Sequence, residues 1–234
     1  MHGTIAYSTH LLTYRLRYSA RRTMAITVHP DGSIQVVAPR GTNPKDVEAR
    51  VRKRARWIIR QRLYFEQFRP RSKPRRYVGG ETHFYLGRQY RLKLIKGARD
   101  DVKLKGSNLI VASSRRANSR HIKRLVIDWY YERARVRILE RFDKIAPRFA
   151  RFGCDISAPK FRSMPRRWGS FSKSGMLLLN PDLIRAPTAC IDYVITHELA
   201  HAVHQNHSVE FYELLDTLMP NWSARKSRLE RMLS

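Results

Sequence analysis

Two short β-favouring runs open the readable pattern, at residues 23–28 and 34–38, joined by His29-Pro30-Asp31-Gly32. Flanking apolar alternation around an Asp-Gly turn predicts a hairpin. Pro39-Arg40-Gly41 breaks the chain. Thr42 or Asn43 can then cap a helix with Pro44 in its first turn. Val47, Val51, Ala55, Ile58, Ile59 and Leu63 recur at helical spacing, with Arg and Lys between them. The pattern predicts a helix lying on the hairpin with a basic outer surface. Residues 69–76 (RPRSKPRR) read as a loop or linker, and four short runs follow as strands, at residues 82–86, 89–95, 102–105 and 108–112.

From Ser119 the period changes. Ile122, Leu125, Val126, Trp129, Tyr130, Ile138, Leu139, Phe142 and Ile145 form the stripe of a long helix that Pro147 ends. Residues 160–164 and 175–179 read as strands around a turn at Arg167-Trp168-Gly169-Ser170, and Pro187-Thr188 opens a second helix. The expected architecture is α+β, with a β-rich basic unit over residues 1–117 and a compact second domain over residues 118–234. No internal repeat stands out.

Composition sharpens this picture at two points. Hydrophobic residues make up 42% of the 234, enough for a real core. The formal net charge is +28, with Arg well ahead of Lys, which raises the expectation of DNA or another polyanion as partner. A genome that favours Arg codons would produce the same excess without a partner. The charge is uneven. Residues 1–117 carry 27 Lys and Arg against 7 Asp and Glu, while residues 186–224 contain no Lys or Arg. Asp192, Glu198, Glu210, Glu213 and Asp216 fall in that cation-free stretch, a setting that suits a bound cation. The two cysteines, Cys154 and Cys190, form no C-x-x-C pair. Residues 1–18 lack the apolar run of a signal peptide, and no stretch approaches a membrane span, so a cytoplasmic location is expected.

The chemistry concentrates in the second predicted helix, where His197-Glu198-Leu199-Ala200-His201 forms an H-E-x-x-H motif. Positions i and i+4 share one helical face, so both imidazoles can meet one metal. Glu198, turned aside, can serve as general base toward a metal-activated water. A tetrahedral catalytic zinc needs a third protein ligand. His204 lies one turn beyond His201, about 5 Å too far along a straight helix. His207 follows Asn206, a residue able to end a helix in the left-handed conformation, with Ser208 placed to cap the next helix. His207 is the favoured ligand, with Glu210 and Glu213 as alternatives. Asp192 can either orient a ligand or complement the helix dipole.

Three segments together carry a resemblance: residues 166–180 (RRWGSFSKSGMLLLN), residues 191–201 around the H-E-x-x-H motif, and Asn206-His207-Ser208-Val209-Glu210-Phe211. They resemble the YgjP-like metallopeptidase family, akin to the SprT-like and WLM metalloproteases. Pro30-Asp31-Gly32, Trp57-Ile58-Ile59 and residues 85–90 extend the likeness toward the N-terminus. The resemblance implies a zincin-like domain, Zn2+ as cofactor and His207 as third ligand. It also implies an edge strand at residues 168–179 that takes an extended peptide, making Arg167, Trp168, Gly169 and Ser170 candidate substrate contacts. Phe171 stands where a Cys is common, and Pro181 where an aromatic is usual.

The resulting expectation is a zinc metallopeptidase acting on protein or peptide substrates, including proteins associated with nucleic acid. The competing reading is a nucleic-acid-binding protein whose metal site is structural or secondary. No helix-turn-helix, zinc finger or RNA-binding motif supports sequence-specific recognition. Arg166 and Arg167 can grip an anion or simply remain solvated.

Overall fold

The computed structural model describes residues 1–29, 32–66, 75–114, 118–154, 156–164 and 167–233. The expected Pro30-Asp31 turn, residues 69–74 of the expected linker, and Arg166 lie outside them. The chain forms two compact units, Met1–Ser72 and Lys73–Leu233, each with its own hydrophobic core.

The first unit begins with strands the sequence reading passes over, β1 (His2–Tyr7) and β2 (His10–Ser19). β3 (Ala25–Val28) and β4 (Ile34–Pro39) form the expected antiparallel hairpin. The sheet order is β1-β2-β4-β3, with β2 and β4 parallel. Inward residues alternate as a half-buried sheet requires: Leu12, Tyr14 and Leu16 on β2, and Ile34, Val36 and Ala38 on β4. Val47, Val51, Ala55 and Ile58 complete this core. They lie on two helices rather than the single expected one, α1 (Pro44–Lys53) and α2 (Ala55–Glu66), which part at Arg54 (φ −100°, ψ 4°). Asn43 caps α1 by accepting a hydrogen bond from the Lys45 N–H, with Pro44 in the first turn.

The second unit carries its own four-stranded sheet, β5 (Thr82–Tyr85), β6 (Arg88–Lys96), β7 (Asp101–Lys105) and β8 (Asn108–Ser113), in the order β5-β6-β8-β7. The expected boundary at residue 117 is therefore displaced. This sheet shares a core with the helices that follow it, through Leu92, Leu109, Val111, Ile122 and Val126. The α+β class holds.

α3 (Ser119–Ile145) is the expected long helix, capped by Asn118, and runs on into a 3-10 helix, Ala146–Phe152, with Pro147 in its first turn. β9 (Lys160–Phe161), β10 (Gly169–Phe171) and β11 (Leu177–Leu179) form a small sheet in the order β10-β11-β9. Gly169 and Ser170 thus belong to a strand, where the sequence suggests a turn. The β5–β6 turn docks on the segment leading to the next helix. Leu86 and Gly87 donate their N–H groups to the carbonyls of Ile184 and Arg185. Gly87 has φ +79°, and a Cβ there would meet Pro187 at 2.7 Å. α4 (Thr188–Ala200), α5 (Val209–Leu218) and α6 (Trp222–Leu233) complete the chain. Among the described residues no helix is long and apolar enough to cross a membrane.

Candidate metal centre

α4 is buried along most of its length, so its packing fixes which side chains face outward. His197 lies in its last turn, and His201 caps its C-terminus with φ −69° and ψ −14°. The helix then tightens. Ala202 and Val203 donate to Leu199 and Ala200, three residues back. This exit replaces the left-handed Asn206 expected from the sequence, since Asn206 does not take a positive φ. His204 is therefore off the helix. Its carbonyl oxygen pairs with His201 Nδ1 at 3.1 Å, which leaves His201 Nε2 free as a donor to a metal.

The chain turns back after His204 and delivers His207. Donor nitrogens of His197, His201 and His207 all lie within 4.8 Å of one another, and the Nε2 atoms of His197 and His207 are 3.1 Å apart. His204, Glu210 and Glu213 are not in this cluster. Ser208 occupies the N-cap position of α5 without a side-chain cap bond. Phe211, fully buried on α5, backs all three imidazoles, with ring centroids 5.2, 4.8 and 4.7 Å from those of His197, His201 and His207.

The donor set fits a divalent metal. Tetrahedral zinc with bonds of about 2.0–2.1 Å spaces its donors about 3.4 Å apart, close to the observed convergence. Burial, then the neighbouring His207 and His201, push the His197 pKa down to about 3, and burial also lowers that of His207. Neutral imidazoles facing one another present lone pairs, which a shared cation satisfies.

The Glu198 side chain lies against Gly169 of β10. A Cβ on Gly169 would meet its Cγ at 2.5 Å and its Cδ and Oε1 at 2.8 Å, so glycine is needed there to admit the carboxyl. Burial raises the Glu198 pKa to about 7, against the opposing pull of a hydrogen bond from the Phe171 N–H and the charge of Arg167. Arg167 is exposed and Trp168 half-buried, packed against the core. Asn180 holds that loop: its Nδ2 donates to the carbonyls of Met164 (2.8 Å) and Arg167 (3.2 Å). Of the four expected substrate contacts, Gly169 abuts Glu198 and the charge of Arg167 acts on it, while Ser170 pairs within the sheet with Leu178. Asp192 does not reach the cluster. Arg141 of α3 grips it with two bonds, 2.7 and 2.8 Å.

Sequence reasoning misses the Phe171 N–H and the His204 carbonyl, because main-chain groups leave no mark in residue identity. Phe211 has a readable signal, four residues after His207 on the stripe with Leu214, Leu215 and Leu218.

Neither a curated protein nor a solved structure gives a significant match to this chain. The metallopeptidase-domain pattern of one family matches residues 22–232, which take in the whole histidine cluster, Glu198 and β10. On that match over nearly all its length, the chain belongs to the YgjP-like metallopeptidase family.

Proposed function

We propose that the protein is a zinc-dependent peptidase in which His197, His201 and His207 hold the metal and Glu198 is the general base. The observation that carries the reading is the convergence of three imidazole donors beside a carboxyl buried against Gly169. Zinc in that triad would supply Lewis-acid polarisation of the scissile carbonyl and of water. Glu198 accepts the water proton and returns it to the leaving nitrogen, a role that needs a carboxyl held off the metal. The Phe171 N–H and Arg167 steady its charged form. β10 lies at the edge of its sheet, where an extended peptide can add as a further strand, with Arg167 and Trp168 at its approach. The basic first unit supports substrates that are proteins held on nucleic acid.

Peptide hydrolysis and zinc content measured together test the assignment. Glu198→Gln should keep its zinc and lose roughly a hundred- to ten-thousand-fold in rate. His201→Ala should lose the zinc itself. Hydrolysis retained in Glu198→Gln would remove Glu198 from the mechanism.

A further inference from the structure

The first unit has a cavity of about 330 Å³ lined by Met24, Ile26, Arg50, Arg54 and Trp57. Its construction follows from the local fold. β3 is an edge strand; Ile26 lies on it, and Met24, two residues earlier, immediately precedes it. Arg50, Arg54 and Trp57 stand at i, i+4 and i+7 along the helical path, so they share one side despite the break at Arg54. Trp57 is 36% exposed, so part of its ring is open to a ligand. Arg50 and Arg54 are both exposed, and neither guanidinium has an ion-pair partner among the described residues.

We propose that this cavity binds single-stranded nucleic acid, with a base stacked on Trp57 over the Met24–Ile26 floor and the flanking phosphates held by Arg50 and Arg54. Charge selects a polyanion: residues 1–72 carry 15 Lys and Arg against 4 Asp and Glu. Shape and chemistry select among polyanions. An anionic membrane satisfies the arginines but brings no flat ring to the tryptophan, and an acidic peptide brings one only where an aromatic residue falls between its acids. Duplex DNA buries its base faces in its own stack. A single strand offers both groups at once, a π-face and a phosphate on each side, which is how sequence-tolerant single-strand sites are built. This proposal deepens the nucleic-acid part of the reading above but rests on the first unit alone. Its test contains no cleavage step, so it stands or falls apart from the metal centre.

The experiment is fluorescence-anisotropy titration of the full chain with short labelled oligodeoxythymidylate, oligouridylate, an abasic oligomer and a duplex of equal length. Vesicles containing an anionic lipid form a further arm. Binding to the two single strands should be tightest, and Trp57→Ala should weaken it roughly five- to hundred-fold. Trp57→Phe should restore most of the loss, because a stacking ring returns. Abasic binding should be weaker and indifferent to Trp57. The exposed Arg50→Ala/Arg54→Ala pair, which disturbs no core residue, should reduce the slope of log affinity against log salt by about one to two. Unchanged single-strand affinity in Trp57→Ala, or equal Trp57 dependence on the abasic oligomer, overturns the proposal. So does tighter, Trp57-dependent binding of duplex or vesicles. The two homopolymers distinguish a preference for DNA from one for RNA.

Discussion

The two four-stranded sheets share one plan, yet among the described residues only the second unit holds a cluster of metal-type donors. In each, two antiparallel pairs meet through a central parallel pair, in the orders β1-β2-β4-β3 and β5-β6-β8-β7, and helix follows sheet. The difference lies in what the following helix does with its surfaces. α1 and α2 bury Val47, Val51, Ala55 and Ile58 on their sheet and leave basic residues outside. α3 is unbroken for 27 residues and buries seven positions from Ile122 to Ile145, in a core that also takes in α4 and α5. A sheet with one covered face makes a platform. A helix long enough to pack on its sheet and also on α4 turns the platform into a frame that holds α4, and with it His197 and Glu198.

Truncating one equivalent core position in each unit should break the comparison most forcefully. Ile58 and Ile138 are both fully buried. Replacing either by Ala should cost about 2–5 kcal/mol in its own unit. The consequences should part: Ile138→Ala should lower both stability and zinc retention, while Ile58→Ala leaves zinc retention intact. Calorimetry with zinc analysis on the two variants measures this. Equal zinc loss in both would show that the cores are not independent.

Acid should separate the sheets next. The buried position of β1 is Ile5, whereas β5 turns His83 inward beside Tyr85. His83 is 1% exposed, and burial, then the charge of Arg75, lowers its pKa to about 4 from 6.5, although Glu81 at 3.0 Å pulls the other way. The unfolded chain therefore takes up this proton first as pH falls. Stability from neutral His83 is complete above about 6.5 and drains away down to about 4, for about 3 kcal/mol in all. His83→Gln, which can still donate to Glu81, should flatten the second unit's stability profile over that window. An unchanged profile would remove His83 as its cause.

How much of this was legible in the sequence depends on the physical signal involved. The H-E-x-x-H pair and the α3 stripe are periodic, and periodicity survives folding, so both stand where expected. His207 is legible because few residues can return to a helix end so soon. The Asn206 route was wrong, since i-to-i+3 bonds ended the helix earlier. Trp168-Gly169-Ser170 resembles a turn because Gly is there, but its Gly makes room for Glu198 within a strand. The break at Arg54 carries no Pro or Gly to announce it. β2 does alternate, with Leu12, Tyr14 and Leu16 inward against Thr13, Arg15 and Arg17, a signal present in the sequence. The repeated sheet plan is invisible because topology can recur without shared residues.

Gly169 sharpens the comparison at the site itself. The second unit places β10 so close to α4 that any side chain at this position collides with Glu198. Gly169→Ala should displace the carboxyl and lower peptide hydrolysis roughly a hundredfold, while the triad keeps its zinc. Parallel measurement of kcat/KM and bound metal checks it. Full activity would show that the strand yields to the added methyl.

The smallest effect concerns the tie between α3 and α4. Arg141 reaches Asp192 through Nε and a terminal nitrogen in a partly buried, two-pronged pair, joining the frame helix to the helix of the motif. α1 and α2 have no such grip on a following element among their described residues. Arg141→Ala should cost about 1–2 kcal/mol, less than a fully buried pair would, because water still reaches the guanidinium. Arg141→Lys should recover little of it, since one ammonium cannot make both bonds in the same plane. If the loss reflects position and not mere stability, Arg141→Ala should also release zinc faster to a chelator at temperatures where it remains folded. Unchanged release would leave the pair a local brace, and would assign the placement of α4 to the shared apolar core alone.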